Sequence, residues 1–118
     1  MAAVATQELS GARRERVLVL IADVANRLRQ IVHVSDGATD RSLLPVREVL
    51  NAVLRNDGRA FAVAHNHPSG DPTASDADRT ATADLAAGAR TVGLRFLDHV
   101  IVTETAWSSV RAPQRTRG

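Results

Sequence analysis

The sequence predicts a single α/β (α+β) domain with a mixed central sheet and flanking helices. Its predicted elements follow the order strand, strand, helix, strand, helix, strand along 118 residues, which is one domain in size. The first two strands are close enough in sequence to pair as an antiparallel hairpin, whereas helical crossovers usually join parallel strands. With 44% hydrophobic and 24% charged residues, the composition is that of a globular chain able to bury a core.

The first half of the chain predicts a hairpin followed by a helix. Residues 17–24 (VLVLIADV) form an almost continuous apolar run, which is typical of a strand buried on both faces. After a short turn, the alternating pattern of residues 28–34 indicates the second strand. Pro45 is expected to open a helix whose apolar residues recur at helical spacing, and Gly58 is expected to end it.

The second half predicts a strand, a loop, a helix and a final strand. Residues 60–65 (AFAVAH) are a short apolar strand that leads into a loop of turn residues over 66–74. Ser75 is expected to start a helix that runs to about Arg90, and residues 94–103 form the last predicted strand.

Both ends of the chain are expected to lie outside the folded domain. The predicted divisions are a flexible segment over residues 1–12, the domain over 13–110 and a basic tail over 111–118. Residues 1–10 are small and polar, which is consistent with a frayed segment or with a short helix. Trp107 is expected to be a hydrophobic plug near the end of the domain. No stretch approaches the roughly 18 apolar residues that cross a bilayer, and no signal peptide is visible, so a cytoplasmic protein without a membrane partner is expected.

Composition excludes several classes of function. With no cysteine, the chain has no disulfide framework, cysteine zinc finger, iron–sulfur cluster or catalytic thiol, so any metal must use His and carboxylate ligands. All 15 basic residues are arginine, yet the formal net charge is only +2 and there are only two phenylalanines for stacking. A nucleic acid is therefore a weakly supported partner.

The stretch that carries chemistry is residues 65–78, HNHPSGDPTASDAD. His65 and His67 lie two apart at the end of an extended segment, so their side chains leave the same side of the chain and form a half-site for Zn²⁺. Asp78, in the first turn of the next helix, could supply a third ligand and leave a fourth position open, as in catalytic zinc sites. Ser75-x-x-Asp78 is also the pattern of a capping box, which needs no metal, so the residues alone leave both interpretations open.

This stretch resembles the signature of the JAB/MPN (JAMM) metalloprotease-like domain, and in particular its RadC branch. That motif reads His-x-His, seven residues, Ser, two residues, Asp, and His65, His67, Ser75 and Asp78 match it. The segment 97–102 (LDHVIV) resembles a further RadC feature. The resemblance implies an MPN/JAB-type fold and a zinc ion held by His65, His67 and Asp78. It also implies zinc-dependent hydrolysis of an amide or isopeptide bond in a protein or peptide substrate.

JAMM sites also use an upstream glutamate that holds water and shuttles its proton. Glu15 stands just before the first predicted strand, where the RadC pattern has Glu-x-aromatic, and is the residue that the resemblance favours as the general base. Glu48 is the alternative, although acidic residues in the first turn of a helix usually complement the helix dipole. Ser75 is expected to hydrogen-bond the oxyanion.

Other roles stay open at the level of the sequence. The chain could be a non-catalytic MPN scaffold or a DNA-repair-associated binding module instead of an enzyme. Asp98 and His99 could form a pair that supports a metal-binding imidazole, since such imidazoles need an acceptor for their second N–H, but structural packing is the favoured interpretation for them.

Overall fold

The computed structural model describes residues 2–9, 15–36 and 44–110. The helices are α1 (Ala2–Leu9), α2 (Val46–Arg55) and α3 (Asp76–Thr91), and the strands are β1 (Arg16–Ala22), β2 (Leu28–Asp36), β3 (Ala60–Asn66), β4 (Arg95–Val102) and β5 (Trp107–Ser109). None of the helices in these ranges combines the length and the apolar character that crossing a membrane requires. The predicted order of elements is confirmed, with α1 and β5 as additions.

The five strands form one mixed sheet in the order β2-β1-β3-β4-β5. β1 is antiparallel to β2 and to β3, β3 is parallel to β4, and β4 is antiparallel to β5. The parallel pair is the one that α3 connects, because a helical crossover returns the chain to the same edge from which it left. The mixed sheet that the sequence predicts is therefore present.

Helices cover both faces of the sheet. α2 and α3 pack on the face that carries Val19, Phe61 and Val63, whereas α1 packs on the face that carries Leu18 and Leu20. The central strand β3 is buried along its whole length. This agrees with its continuous apolar sequence, because a strand covered on both sides has no solvent face for alternating polar residues.

The N-terminal segment contains a short helix. Residues 2–9 form α1, and its Ala5 and Leu9 are fully buried against the sheet. The reason is that the face carrying Leu18 and Val100 is apolar and must be covered by another element. Residues 10–12 and the predicted tail over 111–118 lie outside the described residues.

Gly58 does not end α2 in the predicted way. The helix stops at Arg55, and the residue with a positive φ (56°) is Asp57. Gly58 is instead a point of close approach, since a Cβ there would lie 2.5 Å from Cγ2 of Ile21 and 2.8 Å from Cγ1 of Val53. Glycine is needed here for space.

The prediction of Trp107 as a hydrophobic plug is wrong. Trp107 is 53% exposed and begins β5, an edge strand of three residues. This strand is too short to show a pattern in the sequence, and it forms because β4 offers it backbone partners from Val100 to Val102.

Candidate metal centre

The two motif histidines lie where β3 leaves the sheet. The antiparallel register pairs His65 with Val17 of β1, and His67 N–H donates to the carbonyl of Val102 on β4 (2.9 Å). His65 is buried and the His67 side chain is 19% exposed. Both imidazoles project toward α3, because residues two apart in an extended segment share a face.

The start of α3 supplies the carboxylate. The Ser75 hydroxyl accepts a hydrogen bond from Asp78 N–H (3.0 Å), and Asp78 Oδ2 accepts one from Ser75 N–H (2.9 Å). The capping box that the sequence allows is therefore formed. The same carboxylate is buried and faces both imidazoles, so the cap and a ligand function are compatible.

Two imidazole nitrogens and the two carboxylate oxygens of Asp78 meet at this point. The distance from His65 Nε2 to His67 Nε2 is 3.0 Å, from His65 Nε2 to Asp78 Oδ1 3.4 Å, and from His67 Nε2 to Asp78 Oδ2 3.4 Å. Ligands at the Zn–N and Zn–O lengths of tetrahedral sites are separated from one another by about 3.3 Å. Such a donor set could therefore hold a metal ion.

Glu15 is the acidic residue that the fold brings to this trio. Its Oε2 lies 3.8 Å from His65 Nε2, and its side chain is 35% exposed. The register pairs Val17 with His65, and Arg16, the neighbour of Glu15, donates its N–H to Asn66 Oδ1 (2.6 Å).

Glu48 does not join the donor set. It is exposed in the first turn of α2, and neither group of potential metal ligands among the described residues includes it. Of the two candidates for the general base, only Glu15 approaches the histidines.

A third histidine, His99, contacts the imidazole of His65 at its Nδ1 side. His65 Nδ1 lies 2.9 Å from Nε2 of His99, which is fully buried, and His99 Nδ1 lies 2.7 Å from Thr82 Oγ1. The Thr82 hydroxyl donates to the Asp78 carbonyl (2.8 Å), as expected for residues four apart in a helix. On the other imidazole, His67 Nδ1 lies 3.0 Å from the carbonyl of Asp71 and donates to it.

His99 and Asp98 have different partners. The ring nitrogens of His99 lie beside His65 and Thr82. Asp98 Oδ1 accepts from the backbone N–H of His99 (2.7 Å) and from the Ser109 hydroxyl (2.5 Å). Thr82 was missed in the sequence, where its only signal is its position one helical turn after Asp78.

The loop between β3 and α3 is also held by a hydrogen bond from β5. Ser108 of β5 donates its hydroxyl to the Pro72 carbonyl (2.6 Å), and the register pairs Ser108 with Ile101. Ser108 lies outside the motif stretch, so its contact with the loop depends on the pairing of β5 with β4.

Comparison with known proteins shows the family of the chain. The sequence model of the RadC-like JAB domain matches residues 1–115 of the chain. The chain belongs to the RadC-like JAB domain family. The resemblance that the motif and the strand after it indicated is thereby confirmed.

Relatives of this RadC-like JAB domain carry the name UPF0758 protein. That of Pelobacter propionicus is 38% identical over 102 residues, which cover 86% of this chain and 44% of that protein. That of Symbiobacterium thermophilum is 37% identical over 97 residues, covering 82% of this chain and 42% of that protein. The chain thus spans less than half the length of these curated relatives.

Burial keeps two histidines of the RadC-like JAB domain neutral. For His65, burial and the neighbouring His99 lower the pKa to about 3, and burial lowers the pKa of His99 to about 4. Neutral imidazoles retain a lone pair, which is what a metal ligand requires.

The two more exposed groups of the trio have opposite shifts. The hydrogen bond with Asp78 raises the pKa of His67. Burial raises the pKa of Asp78, but the hydrogen bonds from His67 and Ser75 outweigh it, so this pKa lies well below its usual range. Asp78 is therefore ionised at neutral pH and available as a ligand.

Two overlapping groups of ligand atoms occur among the described residues of the domain. One joins Glu15, His65 and His67, and the other joins His65, Asp78 and His99, each with atoms within 4.8 Å of one another. Both ring nitrogens of His99 already have partners, in Thr82 and His65. The candidate metal position is therefore the Nε2 side of His65, where His67 and Asp78 converge.

Proposed function

We propose that this domain is a zinc-dependent hydrolase of the JAMM type that cleaves an amide or isopeptide bond in a protein or peptide. The observation that supports the proposal is the convergence of His65 Nε2, His67 Nε2 and an Asp78 carboxylate at 3.0–3.4 Å. Two neutral nitrogens and one carboxylate are the ligand type of catalytic zinc sites, which keep a position open.

Each residue then has a distinct task. His65, His67 and Asp78 would hold the ion, which when bound acts as a Lewis acid and lowers the pKa of water from about 15.7 to about 7. Glu15, partly exposed and 3.8 Å from His65, accepts the proton of the attacking water at its carboxylate. It then returns this proton to the leaving amine, acting as general base and then general acid.

Ser75 serves the reacting carbonyl. Its oxygen accepts the bond from Asp78 N–H, which leaves the O–H proton of Ser75 to be donated. A donor at this place stabilises the negative charge that develops on the carbonyl oxygen. The N-terminus of α3, whose first residue is Asp76, favours the same charge through the helix dipole.

Zinc content tests the metal site. Three proteins are prepared in the same way, namely wild type, His67→Ala and His33→Ala. Each is stripped of metal, reloaded with zinc and desalted. His33 is exposed on β2, so its substitution is the matched control. About one zinc per chain is expected for wild type and His33→Ala, and much less for His67→Ala, which lacks one of three ligands. Equal zinc content in all three proteins would rule out the site.

Turnover separates the hydrolase from the alternative role. The zinc-loaded domain is incubated with a panel of peptides and with peptides joined through a lysine isopeptide bond, and new amines are quantified. Cleavage that His67→Ala lacks supports the hydrolase. Zinc binding without cleavage of any member would favour a non-catalytic scaffold or a DNA-repair-associated module.

A further inference from the structure

We propose that Thr82 and His99 are positioning residues that hold the ring proton of His65 on Nδ1, so that its Nε2 lone pair is directed at the metal position. The part of this proposal that concerns a bound metal rests on the proposed function. The ring nitrogen that carries the His65 proton is a property of the metal-free domain and can be measured whether or not the domain is a hydrolase.

The first step of the argument is the Thr82 hydroxyl. It donates to the Asp78 carbonyl at 2.8 Å and lies 2.7 Å from His99 Nδ1. A hydroxyl has one proton, so toward His99 its oxygen accepts. The hydrogen that joins Thr82 to His99 therefore belongs to His99 Nδ1.

The second step is the imidazole of His99. It is fully buried, and a neutral imidazole carries a single ring proton. With that proton on Nδ1, its Nε2 is an acceptor, and His65 Nδ1 at 2.9 Å must be the donor. His65 Nε2 is then left with a lone pair, 3.0 Å from His67 Nε2.

The hydrogen bonds that join Thr82, His99 and His65 have one other consistent arrangement, in which every donor and acceptor is reversed. It would place a proton on Nε2 of His65 and of His99 and would require the Thr82 hydroxyl to donate to His99. That hydroxyl would then abandon the Asp78 carbonyl. The hydrogen bond from Thr82 to Asp78 therefore selects the arrangement that leaves a lone pair on His65 Nε2, as a metal ligand requires. One turn of α3 thus carries both the Asp78 carboxylate and the hydroxyl that sets the tautomer of His65.

Substitutions at Thr82 test the proposal. Thr82→Val removes the hydroxyl and keeps the shape, whereas Thr82→Ser keeps the hydroxyl. Thr91→Val is the matched control, because Thr91 donates to the carbonyl four residues earlier in the same helix, that of Ala87 (3.1 Å). The readout is long-range ¹H–¹⁵N correlation spectra of the metal-free proteins at neutral pH, which show which ring nitrogen carries the proton.

Wild type, Thr82→Ser and Thr91→Val are expected to carry the His65 proton on Nδ1. In Thr82→Val, His99 loses the acceptor for its Nδ1–H, so a shift of the His65 proton toward Nε2 is expected. Zinc affinity, measured by competition with a chromophoric chelator, should fall about ten-fold or more in Thr82→Val alone, as for other partners of metal-binding histidines. An unchanged proton position and affinity in Thr82→Val would overturn the proposal.

The wild-type spectrum decides the question even where a variant fails to fold. A proton on Nε2 of His65 in the metal-free domain contradicts the proposal directly. A domain that carries the proton on Nδ1 and yet binds no zinc would refute the proposed hydrolase while leaving the tautomer assignment intact.

Discussion

The Asp78 carboxylate takes part in two interactions at once. One oxygen accepts the N–H of Ser75 as half of the capping box, and both oxygens lie 3.4 Å from an imidazole nitrogen. The cap thus fixes the orientation of the carboxylate before any metal arrives. Such preorganisation keeps ligands in place at little additional cost in side-chain entropy. Glu15 is placed differently, through the pairing of the adjacent Arg16 N–H with Asn66.

Glu15→Gln is expected to separate chemistry from metal binding. The amide keeps the size of the side chain but cannot take up a proton, so turnover of a cleaved peptide should fall by about 10²–10⁴-fold. Zinc content should stay at the wild-type level, because the ligand trio is untouched. Glu48→Gln is the control and should leave both properties unchanged. A Glu15→Gln protein that cleaves at the wild-type rate would show that Glu15 is not the base.

At the scale of elements, the centre lies between the C-terminal end of β3 and the N-terminal end of α3. The parallel pairing of β3 with β4 places Val63 beside His99, so that this histidine stands under His65. Ser75 caps α3, and Asp78 and Thr82 lie on the first two turns of that helix, so one helix end carries the cap, a candidate ligand and the partner of His99.

Ser75→Ala is expected to affect the helix and the reaction together. Loss of an N-cap hydroxyl costs about 1 kcal/mol of unfolding free energy, measured by urea denaturation. Loss of a donor to the oxyanion lowers turnover by about 10²–10³-fold. Ser75→Thr keeps the hydroxyl and should restore most of both. Full turnover in Ser75→Ala would show that Ser75 only caps α3.

At the scale of the whole molecule, the candidate centre requires two ionisable histidine side chains to be buried. His65 and His99 lie in the interior beside the apolar core and stay neutral there. The unfolded chain, in which a histidine has its ordinary pKa of 6.5, binds protons that the folded chain does not. Folding of the metal-free domain is therefore linked to pH.

The metal-free domain is expected to lose stability as the pH falls from about 6.5 to about 4, because the folded pKa of His65 is about 3 and that of His99 about 4. Each histidine contributes up to about 1.4 kcal/mol per pH unit in this window. The pKa of His67 is raised, so its contribution to the free energy of unfolding is lost as the pH rises above 6.5. The pKa of Asp78 is lowered, so its contribution is lost only as the pH falls below the ordinary value of 3.8.

Urea denaturation of the metal-free protein at several pH values between about 7 and about 5 measures this dependence. His99→Gln should reduce the slope by about half, while the exposed His33→Gln should leave it unchanged. A free energy of unfolding that stays constant over this range would contradict the assignment of two buried neutral histidines.

The elements that the sequence predicts well are those whose pattern is local. The continuous apolar run of β3, the helical spacing of α2 and the cap of α3 at Ser75 all appear in the structure as predicted. For α1 the small, polar sequence left a frayed segment and a short helix both open, and only the apolar sheet face that it covers explains the burial of Leu9.

The trio of His65, His67 and Asp78 could be found in the sequence because the three residues lie within one short segment. That segment comprises the end of β3, the loop after it and the first turn of α3. What the sequence by itself determined is therefore the candidate ligand set and the family. The positions of Glu15, His99 and Thr82 depend on the β1–β3 register and on the packing of α3 against β4, which join residues far apart in the chain. Only the tertiary structure decides such contacts, because side-chain hydrogen bonds act over about 3 Å and carry no signal along the sequence.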